Sequence, residues 1–373
     1  MRGRARTAVE LMLIALFVAA ISLPLAGLLL PSTGAFGLSE NRRPADFPTI
    51  DLASAGWKWS IASFPRRFER WWNDSFAFRF YLIRANSLVK LAIGSSPSPK
   101  ATIGRDGWLF YAAERSTEYY RNATPFTERE LARWRADLEE RRSWLAQRGI
   151  RYLVVVAPNK ETIYPDYMPD AIARVRRESR LDQLVAELRR EPGIDLLDLR
   201  DALAQARRVQ RVYHVTDTHW NDAGALTAKR AIVERLRDWF PDIDVSDAPG
   251  RFEVRRERGG DLARLIALDD RFVEDRVVFV AAGEAPKPAR VLRASTSAEL
   301  AVRECHACRG PVVMMNHDSF GEALAPLLQP HFPRLWLVAG AALDRPLIER
   351  ERPHVVVQQF VERALMCQDL RSC

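Results

Sequence analysis

Six short, largely aliphatic runs constrain this chain more than any other feature. They cover residues 152–157, 194–199, 277–281, 312–315, 335–338 and 355–357. Most of them do not alternate apolar with polar residues, so the strands they predict are buried on both faces. Helical spacing falls between them, over 127–147, over 179–190 with Ser179 as the N-cap, and over 223–240. Doubly buried strands alternating with helices predict an α/β domain of three layers around a mainly parallel sheet. In such sheets, ligands and reactive groups gather beyond the carboxyl ends of the strands. No internal repeat interrupts the pattern.

The two ends of the chain add expectations about compartment. Arg2, Arg4 and Arg6 precede an apolar run over 11–30, broken only by Ser22, Pro24 and Gly27. That length suffices for a helix to cross a bilayer. The arginine flank places the N-terminus in the cytoplasm and everything after the run outside it. Residues 1–36 are therefore expected to form one transmembrane anchor, and 37–373 an exported domain. A signal peptide cut near Thr33-Gly34-Ala35 is the alternative. Residues 64–91 read as helical and aromatic, with Trp71, Trp72, Phe76, Phe78 and Phe80, until 95–99 breaks the pattern.

Four cysteines, Cys305, Cys308, Cys367 and Cys373, suit an oxidising compartment and allow three disulfide pairings. Cross-pairing is expected, tying the segment before 312–315 to the C-terminus. A zinc site is the competing reading, but the second pair has a loose spacing and no zinc-ribbon context, so no metal is expected. The formal charge of +8 describes a basic surface. No zinc-finger, RNP-like or helix-turn-helix pattern accompanies it, so no nucleic-acid partner is expected.

Three polar loops sit where the α/β pattern puts chemistry. Pro158-Asn159-Lys160 follows the first run, Asn316-His317-Asp318-Ser319-Phe320-Gly321 follows the fourth, and Thr216-Asp217-Thr218-His219-Trp220-Asn221 leads into a helix. The serine loop has the layout of a strand-to-helix turn presenting a nucleophile. A serine hydroxyl attacks only when a histidine takes its proton and a carboxylate fixes that histidine's tautomer. Ser319, His219 and Asp217 are the catalytic candidates. Asn159, Lys160, Trp220 and His317 are the candidates for substrate contact. Six of the seven have a plainer role: Ser319 as an N-cap, His219 and Asp217 as a structural pair, Asn159 and Lys160 as strand-end caps, His317 as a pocket wall.

At these residues the chain resembles the SGNH-hydrolase-like alginate O-acetyltransferase group, which acetylates bacterial exopolysaccharides. The matching pieces include Glu40-x-Arg42, Asn73-Asp74-x-Phe76-x-Phe78-Arg79, Gly104-x-Asp106-Gly107-Trp108-Leu109-Phe110, and Pro158-x-Lys160 with Tyr164-Pro165. Asp217-Thr-His219-Trp220-Asn221-x-x-Gly224-Ala225 is the most specific piece. Gly260-Asp261-Leu262, Asp318-Ser319-Phe320 and Glu362-Arg363 follow in the same order. The resemblance implies an SGNH-hydrolase-like fold, with Asp217, His219 and Ser319 as the triad of a serine acetyltransferase. It implies no bound cofactor, the acetyl group being delivered by a polytopic membrane acyltransferase. It also implies an exopolysaccharide substrate, other polysaccharide-export proteins as partners, and a catalytic domain in the periplasm, held at the bacterial inner membrane. An acetylesterase and a non-catalytic polysaccharide-binding subunit are the competing functions. His317 stands where the family usually has glycine. The chain also stops soon after Glu362-Arg363, so a compact member without a carbohydrate-binding module is expected.

Overall fold

The alternation of aliphatic runs and helices is carried by one seven-stranded sheet. The structure is a computed structural model, which describes residues 10–19, 22, 45–53, 56–75, 78–190, 193–283, 290–294 and 299–372. In chain order its strands are β1 (Ala101–Ile103), β2 (Leu109–Tyr111), β3 (Arg151–Ala157), β4 (Asp195–Asp198), β5 (Gly250–Glu257) and β6 (Glu274–Ala281), then β7 (Arg290–Ala294), β8 (Glu299–Glu304), β9 (Val313–His317), β10 (Arg334–Ala339) and β11 (Val355–Val361). The large sheet has the order β4-β3-β11-β9-β10-β8-β7. The first five strands of that order are parallel, and β8 and β7 add antiparallel at one side.

Side chains along each central strand alternate between two apolar layers, because successive residues of a strand point to opposite faces. Tyr152, Val154 and Val156 meet Trp134, Leu138 and Leu145 of the helix Glu128–Ala146, and Leu181, Leu184 and Leu188 of the helix Arg180–Arg190. Leu153, Val155 and Ala157 face the other way, into a core with Ile232 and Leu236 of the helix Asp222–Arg237 and Phe320 and Leu324 of the helix Ser319–Leu328. Each aliphatic side chain fully buried in this way contributes roughly 1.5–3 kcal/mol. The helix Glu128–Ala146 starts where Thr127 accepts from the Glu130 N–H and Glu130 reaches back to the Thr127 N–H. That reciprocal cap satisfies two donors at the helix start. The layers are those expected.

Two expectations about strands and helices need correction. Residues 277–281 were expected in the parallel sheet. They lie in β6, which pairs antiparallel with β5 as a separate ribbon. The partner strand carries a row of exposed charged residues, including Arg251, Arg255 and Arg256, so this ribbon faces water along much of its length. The aromatic stretch over 64–91 is two helices, Trp57–Ser75 and Arg79–Ala92, with Phe78 between them in the left-handed region at φ 67°.

Internal contacts divide the chain into two units. One comprises Met1–Ser98 with Ala263–Asp269, and the other Pro99–Leu262 with Asp270–Cys373. The large sheet and both cores belong to the second. Half of the expected transmembrane run over 11–30, residues 20, 21 and 23–30, lies outside the described residues. No described helix is long and apolar enough to cross a membrane.

The disulfide expectation is overturned. Cys305 and Cys308 are bonded to each other, with Cα atoms 5.3 Å apart in a turn after β8. That separation lies inside the range a disulfide spans. With those two paired, no bridge runs from this turn to the C-terminus. Cys367 is also disulfide-bonded.

Candidate active site

β3, β11 and β9 lie side by side and run in the same direction, so their carboxyl ends share one edge of the sheet. The chain leaves that edge through Asn159-Lys160, Glu362-Arg363 and Asp318-Ser319 respectively. Asp318 builds the turn that presents Ser319. Its Oδ1 accepts from the Phe320 N–H at 2.9 Å and from Gln359 Nε2 at 2.9 Å. Its Oδ2 accepts from the Val361 N–H at 2.7 Å. One carboxylate therefore caps the helix and ties its start to β11. Phe320 is wholly buried beneath, and Ser319 is left exposed.

Ser319 Oγ lies 2.8 Å from His219 Nε2, and His219 Nδ1 lies 2.8 Å from Asp217 Oδ1. Asp217 is buried, His219 half-buried and Ser319 exposed, so the series runs from the protein interior to its surface. The histidine loop is short because Asn221 caps the following helix, accepting from the Ala223 and Gly224 N–H groups. The His219 ring rests on Phe320 with centroids 4.9 Å apart, which joins the two loops through one buried side chain.

A second ring of groups holds Asp217 in place. Its Oδ1 also accepts from the His219 N–H, and its Oδ2 accepts from the Asp261 N–H at 3.0 Å. Arg276 stands 3.5 Å from that Oδ2. The Gly260 N–H donates to Thr216 Oγ1 at 2.8 Å, and Asp261 Oδ1 accepts from the Thr218 N–H at 2.7 Å. A Cβ at position 260 would sit 2.4 Å from Asp217 Cβ, so only glycine lets the two loops approach this closely. Glu274 accepts from the Val215 and Thr216 N–H groups.

The electrostatics follow from this packing. Burial pushes the Asp217 carboxyl up, but hydrogen bonds from His219 and the Asp261 N–H outweigh it and hold the group well below the carboxylate range. Burial pulls His219 down, and the hydrogen bond and charge of Asp217 more than reverse that, leaving it above the ordinary imidazole value. Asp261 is raised by its own burial and by the charge of Asp217. Asp217, His219 and Asp261 are also the one group of this kind, among the described residues, close enough to share a cation. Three of the four carboxylate oxygens already accept from N–H donors of the chain, so hydrogen bonding alone accounts for the arrangement.

The four residues expected to touch substrate are all buried. Lys160 is buried, and its Nζ donates to the carbonyls of His214, Val215 and Asp217, the last at 2.7 Å. It clamps the loop that carries Asp217. Trp220 is also buried, its ring edge-on to Phe320 at 5.0 Å. His317 ends β9 with its Nδ1 2.8 Å from the Asp318 carbonyl, and its ring fills the space where a Cβ on Gly321 would be. It is absent from the residues with positive φ, so the turn carries no strain from replacing glycine. Asn159 is buried with both side-chain amide atoms free of hydrogen bonds within the chain. Sequence reasoning missed Asp261, Glu274 and Gln359. Only the Gly-Asp-Leu piece at 260–262 signalled the first of them.

Lys160 gives a test that is independent of chemistry. Burial pushes its ammonium down to about 8, against an ordinary lysine value of 10.5. Between those values the unfolded chain still binds a proton that the folded chain has released, so stability rises with pH. Thermal unfolding at pH 8 and pH 9.5 should show the wild type gaining on Lys160→Met, by at most about 1.4 kcal/mol per pH unit. Parallel pH curves for the two proteins would mean that Lys160 keeps its proton throughout.

Comparison with known proteins gives this site a family. Residues 101–291 match the family described as "SGNH hydrolase-like domain, acetyltransferase AlgX", a span that includes Asp217, His219, Gly260 and Asp261. The chain belongs to that family. A probable alginate O-acetylase AlgJ of Pseudomonas aeruginosa is 29% identical over 177 residues, covering 47% of this chain and 43% of that protein. The probable AlgJ of Azotobacter vinelandii is 24% identical over 215 residues, covering 56% of this chain and 52% of that protein. This chain thus spans about half the length of the curated relatives it matches. Bacillus cereus PatB1 superposes with a TM-score of 0.53 at 12% identity, over 70% of this chain and 95% of that one. That likeness speaks for the fold. The SGNH-hydrolase-like architecture is shared with both the family and this structure.

Proposed function

We propose that this protein is a serine-dependent O-acetyltransferase that places acetyl groups on hydroxyls of an exported polysaccharide. The observation that carries the reading is the unbroken relay Asp217–His219–Ser319, with 2.8 Å at each link. The AlgX family and relatives named alginate O-acetylase support acetyl as the group and a polysaccharide as the acceptor. In the first half-reaction His219 Nε2 takes the Ser319 proton while Oγ bonds to the acetyl carbonyl carbon. The carbonyl oxygen becomes an oxyanion, then re-forms the double bond as the donor's leaving group departs with the proton from His219. In the second, His219 deprotonates a sugar hydroxyl, which attacks the acetyl-serine and regenerates Ser319.

Ser319 is the first residue of its helix, so its N–H has no intrahelical acceptor and suits an oxyanion donor. The buried amide of Asn159 is a second candidate donor at the same sheet edge. No cofactor is needed if a polytopic membrane acyltransferase supplies the acetyl group. We further propose that the run over 11–30 anchors the chain in the bacterial inner membrane, with this site in the periplasm beside that partner and other export proteins. Tethering would raise the local concentration of donor and acceptor.

The test is the fate of the acetyl group. With p-nitrophenyl acetate as donor and an unacetylated uronate oligosaccharide as acceptor, the full chain should yield acetylated sugar at the expense of free acetate. Release of acetate with no acetylated sugar at any acceptor concentration would make it an esterase. The general base must be unprotonated and His219 is raised, so the rate should climb with pH to a plateau above that of free imidazole, near 6.5. A rate that falls over that range would exclude histidine as the base.

A further inference from the structure

The unit formed by Met1–Ser98 and Ala263–Asp269 has a surface unlike that of the catalytic unit. Among the described residues beyond 98, only Val175, Val209, Phe252, Val254 and Val273 are large, apolar and exposed. Residues 45–93 carry more than twice as many, although they are far fewer. In the helix Trp57–Ser75, only Ser60 is buried. Yet Trp57, Ile61, Phe64, Phe68, Trp71 and Trp72 recur at the spacing that puts them on one face. The rings of Phe64, Phe68, Trp71 and Trp72 form a connected series with Phe47, whose centroid lies 4.8 Å from that of Trp71. In the helix Arg79–Ala92, Leu82 and Val89 form a second stripe that Ile93 extends, with Val89 62% and Ile93 73% exposed. Apolar stripes of this extent, with Trp57, Ile61 and Phe68 of the first helix and Leu82, Val89 and Ile93 of the second exposed, mark an interaction surface.

Charge names the occupant. The first helix bears Lys58, Arg66, Arg67 and Arg70 against Glu69 and Asp74, and the second bears Arg79, Arg84 and Lys90 with no acidic residue. Tryptophan and phenylalanine on one face, with arginine and lysine on the other, is the composition of a helix lying in a lipid interface. Indole rings suit the headgroup level, and long basic side chains reach out to phosphates. We propose that these two helices lie on the surface of an anionic bilayer, as a membrane contact separate from any contribution of the run over 11–30. A face made for a second protein chain would not require the excess of basic residues on both helices.

The test reads depth at single positions of the full chain. With Cys305 and Cys308 bridged and Cys367 bonded, one added thiol can be labelled with an environment-sensitive NBD dye. Ile61→Cys and Val89→Cys report the two stripes, and Val209→Cys, 88% exposed in the catalytic unit, is the control. On vesicles of phosphatidylglycerol and phosphatidylethanolamine, the dye at 61 and 89 should shift to the blue and lose most of its emission to doxyl-labelled lipid. The dye at 209 should do neither. The response should weaken on pure phosphatidylcholine, in high salt, and in Arg66→Glu/Arg70→Glu protein, which should retain its ester hydrolysis. Water-like emission at 61 and 89 in vesicle-bound protein would overturn the proposal. So would a blue shift that grows with protein concentration in the absence of lipid, which would assign the face to a second copy.

Discussion

Ser319→Ala is expected to lower kcat for an activated acetyl ester by roughly 10⁵–10⁶, to a residue of uncatalysed and oxyanion-assisted turnover. The size of the loss follows from what is removed. Without Oγ there is no acyl-enzyme, and His219 has nothing to deprotonate except water. His219→Ala should be nearly as severe, because an unassisted serine hydroxyl is almost fully protonated at neutral pH. Members of one relay fail together, so the double variant should be hardly worse than Ser319→Ala alone. Stability should change little. The serine side chain is exposed, and its partner is His219 across a single hydrogen bond, while the helix cap belongs to Asp318. An undiminished rate in Ser319→Ala protein of normal melting temperature would end the nucleophile assignment.

That separation between Asp318 and Ser319 shows which parts of the site were legible in sequence and which were not. Asp217-x-His219 and Asp318-Ser319 are local patterns, and local patterns survive in a linear reading. The groups that hold them are not local. Lys160 reaches the loop of Asp217 from the end of β3, Gln359 reaches Asp318 from β11, and Asp261 meets Asp217 across a turn after the β5 ribbon. Nothing in the sequence around Lys160 distinguishes a buried clamp from a substrate ligand. The distinction is made by three carbonyls brought together by folding. Trp220 is ambiguous in sequence for a related reason, since an aromatic next to such a histidine packs against the core, as Trp220 does on Phe320, as readily as it faces a sugar.

The same contrast applies to the fold. The central parallel strands are aliphatic on both faces, and composition alone marks them. β8 carries Glu299, Arg303 and Glu304 around only three apolar residues, Leu300, Ala301 and Val302, and finds its place by pairing with β10. Residues 277–281 show the converse case. Five apolar residues state that a segment is partly covered, but not which strand pairs with it. The cysteines failed at the same point: spacing allows three pairings, and a turn that brings Cys305 to Cys308 decides among them.

Gly260→Ala should be the most damaging substitution that leaves all three relay residues intact. The added methyl would lie 2.4 Å from Asp217 Cβ and 2.6 Å from its Oδ2, closer than packed atoms approach. Either Asp217 moves or the 260–261 backbone does. Both outcomes pull the Asp261 N–H away from Oδ2 and loosen the Asp217 Oδ1 contact to His219. An imidazole without its oriented carboxylate presents the wrong tautomer part of the time, and that alone has cost serine enzymes about 10⁴ in kcat. A partial displacement should therefore cost about 10²–10³, mostly in kcat. The pH profile discriminates a local cause from general damage. With Asp217 drawn away, His219 loses the hydrogen bond and charge that raise it, and the rising limb should move toward the ordinary histidine value near 6.5. Gly193→Ala is the matched control, since its Cβ would meet nothing closer than 3.6 Å and should leave rate and profile unchanged. A Gly260→Ala enzyme with wild-type kcat and an unshifted limb would show that the 260–261 turn does not hold Asp217 in place during turnover.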